Sequence, residues 1–276
     1  MPSTLDQYAV IGNPIAHSKS PQIHTLFANQ TQQALHYDKV FAPLDAFKAT
    51  VLAFKAQHGK GCNVTVPFKQ EAWALATNRT HYAESAGAVN TLIFGAEGSI
   101  LGHNTDGIGL VRDITNNLST SLTDKRILLL GAGGAVRGVL QPLLEQSPSE
   151  VVVANRTVTK AHELVQLFAS YGLIKAASFN DLEGAFDIVI NGTSASLHGE
   201  LPPIPSVCIQ PSTFCYDMMY GAEPTLFMQW ASTQGSQYVH DGLGMLVEQA
   251  AEAFKLWRGV LPNTQSVLTQ LRKELK

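Results

Sequence analysis

The chain has 276 residues, with 19 Lys+Arg against 22 Asp+Glu and a formal net charge of −3. At roughly 100–200 residues per domain, this length fits one large domain or two modest ones. Hydrophobic residues at 45% against charged residues at 15% exclude a disordered chain, and the slight acidity excludes the basic footprint of a nucleic-acid binder. Cys62, Cys208 and Cys215 are odd in number and lack CxxC spacing, so three reduced thiols are expected rather than a disulfide framework or a zinc knuckle. Met1 to Val10 has neither the basic start nor the long apolar run of a leader. No uninterrupted apolar stretch approaches the ~20 residues that span a membrane. The expectation is a cytoplasmic protein with no membrane or nucleic-acid partner and no metal, as a monomer or homodimer.

In chain order, Tyr8 to Ile11 reads as a strand stopped by Gly12-Asn13-Pro14. Pro21 to Ala28 reads as a helix, with Ser20 as N-cap and Pro21 at the first helical position. Tyr37 to Phe41 predicts a strand, Leu44 to Phe54 a helix, Cys62 to Val66 a strand and Phe68 to Ala76 a helix. Strands alternating with helices imply crossover connections and a mainly parallel sheet. Ala88 to Phe94 and Ile100-Leu101, split by Gly95 to Ser99, read as a hairpin instead.

Asp106 to Leu118 predicts a helix bridging to a second unit. Arg126 to Leu130 is then apolar after its charged start, as expected of a strand buried on both faces. Gly131-Ala132-Gly133-Gly134-Ala135 follows, with a helix to about Gln146, a strand over Glu150 to Ala154 and a helix over Thr157 to Tyr171. Asp187 to Asn191 and Thr213 to Tyr216 supply later strands. This β-α-β-α series predicts a doubly wound, Rossmann-type sheet. Past Gly244 come a helix over Met245 to Trp257, a break at Gly259 and Pro262, and a final helix.

The glycine turn between a buried strand and a helix fits a pyrophosphate cradle, because a helix N-terminus offers unpaired N–H groups and a positive dipole. The third Gly/Ala position of the usual pattern holds Val136, so close packing there is expected to rely on Ala135 and Gly138. The next strand ends at Ala154-Asn155-Arg156-Thr157. A site for NAD usually places Asp or Glu here, on the ribose 2′-hydroxyl. A neutral Asn155, a guanidinium at Arg156, a hydroxyl at Thr157 and an ammonium at Lys160 favour a 2′-phosphate, hence NADP.

Candidate chemistry lies in the first hundred residues. Lys69 falls in the first turn of its predicted helix, where the macrodipole disfavours a cation, an anomaly that suits acid/base work. Read alone it could equally be a lysine reaching into solvent. Asp106 opens the bridging helix and could be a plain N-cap, or the carboxylate that orients Lys69. Ser18 and Ser20 place two hydroxyls before a helix N-terminus, a natural carboxylate receiver. Tyr220 offers a phenol to a ligand or to the core, and Gln249 could be a ligand contact or a surface residue. No GxSxG or HExxH is present, and the nine histidines show no metal-ligand spacing.

Together these segments closely resemble the bacterial, NADP-dependent shikimate dehydrogenases. The matching pieces are Ile11 to Pro21, Asn63 to Lys69, Ala86 to Thr91, Asn104 to Gly107, Gly131 to Ala135, Asn155 to Thr157, Tyr216 to Gly221 and Asp241 to Met245. The resemblance implies two α/β domains with the active site in the cleft between them. Residues 1–105, completed by the C-terminal helices 242–276, would form a mainly parallel substrate-binding domain. Residues 106–241 would form the NADP-binding Rossmann domain. It implies reversible, NADPH-dependent reduction of the C3 ketone of 3-dehydroshikimate to shikimate, a step of chorismate and aromatic amino-acid biosynthesis. By the same resemblance Lys69 and Asp106 are catalytic, Ser18, Ser20 and Tyr220 receive the carboxylate, and Thr65, Asn90, Asp106 and Gln249 bind ring hydroxyls. Gly131 to Ala135, with Asn155, Arg156, Thr157 and Lys160, would hold NADP, with Met218 and Gly242 bordering the nicotinamide. Two alternatives stay open: a quinate/shikimate dehydrogenase of broader substrate use, and a non-catalytic NADPH-binding sensor on the same scaffold.

Overall fold

The computed structural model describes residues 5–193, 195 and 200–275. Residues 1–4, part of the stretch read for a leader, and Lys276, the end of the first predicted domain, lie outside the described residues. The chain divides into two compact units, one of residues 5–109 with Val247–Gln270 and one of Leu110–Leu246 with residues 271–275.

The first unit contains β1 (Asp6–Gly12), α1 (Ser20–Thr31), β2 (Leu35–Phe41), α2 (Phe47–Ala56), β3 (Gly59–Val64), α3 (Lys69–Leu75), β4 (Asn78–Arg79), α4 (His81–Ala86), β5 (Thr91–Phe94) and β6 (Ile100–His103). Its six strands run in the order β2-β1-β3-β5-β6-β4. β1 lies parallel to β2 and β3, while β5 turns back antiparallel to both β3 and β6, which is the predicted hairpin. Ala9, Ile11, Cys62, Val64, Phe68 and Leu92 share one buried cluster, because alternate strand positions face the same side. The parallel strands end at Gly12, Phe41 and Val64, so Ser18, Ser20, Thr65 and Lys69 all follow the carboxyl end of a strand.

α5 (Asp106–Arg112) starts in this unit and continues as one π-type turn over Asp113–Asn117. The second unit then holds β7 (Arg126–Leu130), α6 (Gly134–Leu144), β8 (Glu150–Ala154), α7 (Val158–Phe168), β9 (Ile174–Ala177), β10 (Ile188–Asn191), β11 (Phe214–Asp217), α8 (Leu226–Thr233) and β12 (Tyr238–Asp241). α9 (Leu243–Arg258) and α10 (Thr264–Leu275) close the chain. All strand pairs of this sheet are parallel, in the order β12-β11-β10-β7-β8-β9. Read from the other edge, the third, second and first strands precede the fourth, fifth and sixth, the doubly wound dinucleotide-binding order. Ile127 and Leu129 pack on one face of the sheet and Leu128 and Leu130 on the other, so β7 is buried on both sides as predicted. Each such side chain contributes about 1.5–3 kcal/mol of apolar burial.

Some local expectations change. The helix starts at Ser20 itself, with Lys19 at the N-cap and no side-chain cap bond, so Ser20 is not the predicted cap. α2 begins at Phe47 rather than Leu44, because Pro43 to Ala46 form a turn closed by Ala46 N–H to the Pro43 carbonyl. β3 ends at Val64, leaving Thr65 and Val66 in the turn before α3. The three cysteines are free and buried. No helix among the described residues is long and apolar enough to cross a membrane.

Candidate active site

In the first unit, the turn after β3 brings Lys69 to the first position of α3. Phe68, fully buried against Phe47, anchors that turn, and the Val89 N–H donates to the Lys69 carbonyl at 2.8 Å. Asp106 starts α5 after β6. The cap is made by Asn104, whose Oδ1 accepts from the Asp106 N–H at 3.0 Å, so the Asp106 carboxylate is left for other work. Lys69 Nζ lies 2.6 Å from Asp106 Oδ2. The side chains are 31% and 12% exposed, so the pair remains open to a ligand.

Asn90 joins this pair. Its Nδ2 donates to Asp106 Oδ1 at 2.8 Å, to Thr105 Oγ1 at 2.9 Å and to Gln249 Oε1 at 3.4 Å. Its Oδ1 accepts from the Thr105 N–H at 2.9 Å. Lys69, Asn90, Asp106 and Gln249 therefore form one polar cluster, in which Thr105 also takes part. Ser18 and Ser20 lie together at the start of α1, the Ser20 N–H donating to Ser18 Oγ at 3.3 Å. With its oxygen accepting there, the Ser18 hydroxyl proton can be offered to an anion. Thr65 is tied to the end of β1, its N–H donating to the Ile11 carbonyl at 3.0 Å.

In the second unit, Gly131 to Gly133 lead from β7 into α6, whose N-terminus carries no side-chain cap. Gly133, Gly134 and Ala135 are exposed, and the first turns of α6 and α7 contain no acidic residue. Unpaired N–H groups and an uncancelled dipole suit a pyrophosphate. The expectation that Ala135 supplies close packing is not met, because Ala135 is exposed. The fully buried Val136 packs instead against Gly192, where an added Cβ would stand 2.5 Å from Val136 Cγ2. The missing bulk has moved from the helix to the neighbouring strand end.

Arg156 is 81% exposed, and its carboxylate neighbour among the described residues is Glu200 at 3.9 Å. An exposed pair at that distance is worth little, so the guanidinium is available to a phosphate. Asn155 Nδ2 donates to the Thr157 carbonyl at 2.9 Å, shaping the turn, and Lys160 lies exposed on α7. The donor set thus fits the 2′-phosphate of NADP.

Asp217 and Asn191, both fully buried, tie the ends of β10 and β11 together. Asn191 Nδ2 donates to Asp217 Oδ1 at 3.1 Å, the Met219 N–H donates to the same oxygen at 3.0 Å, and Thr225 Oγ1 donates to Oδ2 at 2.6 Å. The loop so held carries Met218 and Tyr220, and burial pushes the Tyr220 phenol above its ordinary range, with Asp241 adding to the shift. Gly242 faces the Met218 backbone, whose carbonyl carbon would lie 2.7 Å from an added Cβ. Because that obstacle is main chain, G242A is expected to cost about 1–3 kcal/mol of stability, the range of overpacking. A urea midpoint equal to that of the unmodified protein would contradict this.

Thr105, Asn191 and Asp217 carry little signal in the chain by itself: they are polar residues at or just past strand ends, recognisable only when several converge.

Comparison with known proteins places these units. The family model described as the shikimate dehydrogenase substrate binding domain matches residues 10–92. Shikimate / quinate 5-dehydrogenase matches residues 112–198, and the shikimate 5′-dehydrogenase C-terminal domain matches residues 242–272. The chain is 60% identical to shikimate dehydrogenase (NADP(+)) of Cellvibrio japonicus over 98% of each chain. Among solved structures, an Ael1 enzyme from Pseudomonas putida is 49% identical with a TM-score of 0.92, over 96% of this chain and 98% of that one. Shikimate 5-dehydrogenase from Thermus thermophilus, solved with NADP(H) and shikimate, is 30% identical with a TM-score of 0.85, over 98% of this chain and 100% of that one.

Proposed function

The chain belongs to the shikimate dehydrogenase family, and from that premise we propose that it reduces 3-dehydroshikimate to shikimate reversibly with NADPH, Lys69 and Asp106 handling the proton. The observation that carries the assignment of roles is the Lys69–Asp106 contact at 2.6 Å inside a cluster of amides and hydroxyls.

NADP, when bound, supplies or accepts the hydride. In the reducing direction, the Lys69 ammonium donates a proton to the oxygen of the C3 carbonyl as it becomes a hydroxyl. In the oxidising direction, the Lys69 nitrogen takes that proton back. Asp106 Oδ2 aims the Lys69 nitrogen and balances its charge, while Oδ1 is held by Asn90. Thr65, Asn90, Asp106 and Gln249 are assigned to the ring hydroxyls, and Ser18, Ser20 and Tyr220 to the carboxylate. A site built from such donors and acceptors rejects analogues that leave them unpaired. The α6 N-terminus at Gly131 to Ala135 is assigned to the pyrophosphate. Asn155, Arg156, Thr157 and Lys160 are assigned to the adenosine end, and Met218 and Gly242 to the nicotinamide. We assign the unit of residues 5–109 with Val247–Gln270, which holds Asp106, to substrate, and the unit of Leu110–Leu246 with residues 271–275, which holds Gly242, to NADP. Three buried free thiols support a reducing compartment, the cytoplasm.

The test is absorbance at the NADPH wavelength with shikimate and then quinate, each with NADP and NAD separately. Rapid reduction of NADP with shikimate, and at least about ten-fold slower reduction of NAD, is expected from loss of a charge-assisted phosphate contact. No NADPH formation with shikimate would refute the proposal in favour of a sensor. Comparable rates with quinate, which carries one hydroxyl more, would establish the broader dehydrogenase.

A further inference from the structure

Behind the Lys69–Asp106 pair, a line of side chains runs through the first unit with every hydrogen bond pointing the same way. Tyr37 Oη–H donates to Asn63 Oδ1 at 2.7 Å, and Asn63 Nδ2–H donates to Thr91 Oγ1 at 3.0 Å. Thr91 Oγ1–H donates to Asn90 Oδ1 at 2.8 Å, and Asn90 Nδ2–H donates to Asp106 Oδ1 at 2.8 Å. Lys69 meets the other carboxylate oxygen of Asp106. Tyr37, Asn63, Thr91 and Asn90 are all buried, Thr91 completely. The far end is rigid, because the Tyr37 ring stacks on His24 with centroids 4.2 Å apart and planes 6° apart.

We propose that Thr91 is a positioning residue for the catalytic pair. A primary amide has an accepting end and a donating end of nearly equal shape, so its orientation is decided by its neighbours. The Thr91 oxygen accepts from Asn63, which directs the single hydroxyl proton to Asn90 Oδ1. The Asn90 amide then turns its NH2 toward Asp106. The reversed amide would set a carbonyl oxygen against a carboxylate. With Oδ1 of Asp106 occupied by Asn90, Oδ2 is the oxygen presented to Lys69. The Thr105 N–H supports the same orientation from the other side. Asn63 is held in turn by Tyr37 and by the Asn90 carbonyl, which accepts from its Nδ2 at 3.2 Å. This inference rests on the reading of Lys69 and Asp106 as the pair that handles the proton.

Valine and serine at position 91 separate positioning from packing. Valine keeps the volume and loses the hydroxyl, whereas serine keeps the hydroxyl and loses the methyl group. T91V is expected to lower kcat with shikimate about ten-fold, the scale of one buried hydrogen bond lost, with the KM for NADP within about two-fold. T91S is expected within about two-fold of the unmodified enzyme. In a K69A background, T91V should cost less than about two-fold, because coupled residues are not additive. Serine as impaired as valine, valine at full rate, or a ten-fold loss persisting without Lys69 would each overturn the proposal. Normal turnover by K69A alone would instead sink the catalytic reading, and the role of Thr91 with it. Should T91V not fold, Y37F breaks the same line at its far end while keeping the ring on His24. Because the Tyr37 hydroxyl also meets Ser20, kcat is read together with the KM for shikimate. A kcat lowered about three-fold or more with that KM within about two-fold supports positioning, and an unchanged kcat, or a loss confined to KM, overturns it.

Discussion

Replacing Lys69 by alanine is expected to lower kcat by at least about 100-fold, the usual scale for loss of an acid/base group. Lys69 Nζ is the cation in contact with Asp106, at 2.6 Å. On the proposed mechanism, the alkoxide that forms at the reduced carbonyl would then have no proton donor on this side chain, and a water would have to substitute. The KM for NADP is expected to change by less than about two-fold, because Lys69 lies in one unit and the glycine turn assigned to the pyrophosphate in the other. Steady-state kinetics with shikimate and NADP check both halves of the expectation. Near-normal turnover would remove Lys69 from the mechanism, while a large rise in the NADP KM would point to a folding defect instead.

Arg156→Ala is expected to raise the KM for NADP by about 10- to 100-fold, the equivalent of a charge-assisted hydrogen bond. The KM for NAD should move by less than about two-fold, since NAD has no 2′-phosphate for the guanidinium to meet. The structure sharpens this expectation. Arg156 extends into solvent and approaches Glu200 only at 3.9 Å, so its removal strands no buried partner. Stability should therefore be unchanged, and the effect should weaken as salt screens the exposed charge. Equal KM changes for the two dinucleotides would refute the assignment.

Much of the fold was legible because it rests on local periodicity. Arg126–Leu130 and Glu150–Ala154 are strands at the predicted boundaries, since a strand buried on both faces announces itself by an unbroken apolar run. The strands that local periodicity does not reveal are Asn78–Arg79, Ile174–Ala177 and Tyr238–Asp241, which lie at sheet edges. Short edge strands are covered on fewer sides, so their composition need not be apolar. Tyr238 is itself exposed. The departure at Val136 was visible in the chain, but its remedy was not. Gly192 comes from a later strand end and meets Val136 only in the folded sheet.

The candidate site divides along the same line. Its residue types, their order and their attachment to strand ends and helix starts could be read from the chain, because glycine turns, helix N-termini and strand–helix junctions are local chemistry. That reading includes the choice of NADP, which rests on neighbouring residues Asn155, Arg156 and Thr157. What required tertiary structure was the orientation of polar side chains. Ser20 was expected to cap its helix and instead lies within it, while Asn104 caps the helix opened by Asp106 and frees that carboxylate for Lys69. The line from Tyr37 to Asp106 draws on residues from β2, β3, β5 and the start of α5. A hydrogen bond depends on distances of a few tenths of an ångström and on which end of an amide faces which neighbour. Those quantities exist only once strands far apart in the chain are paired in register.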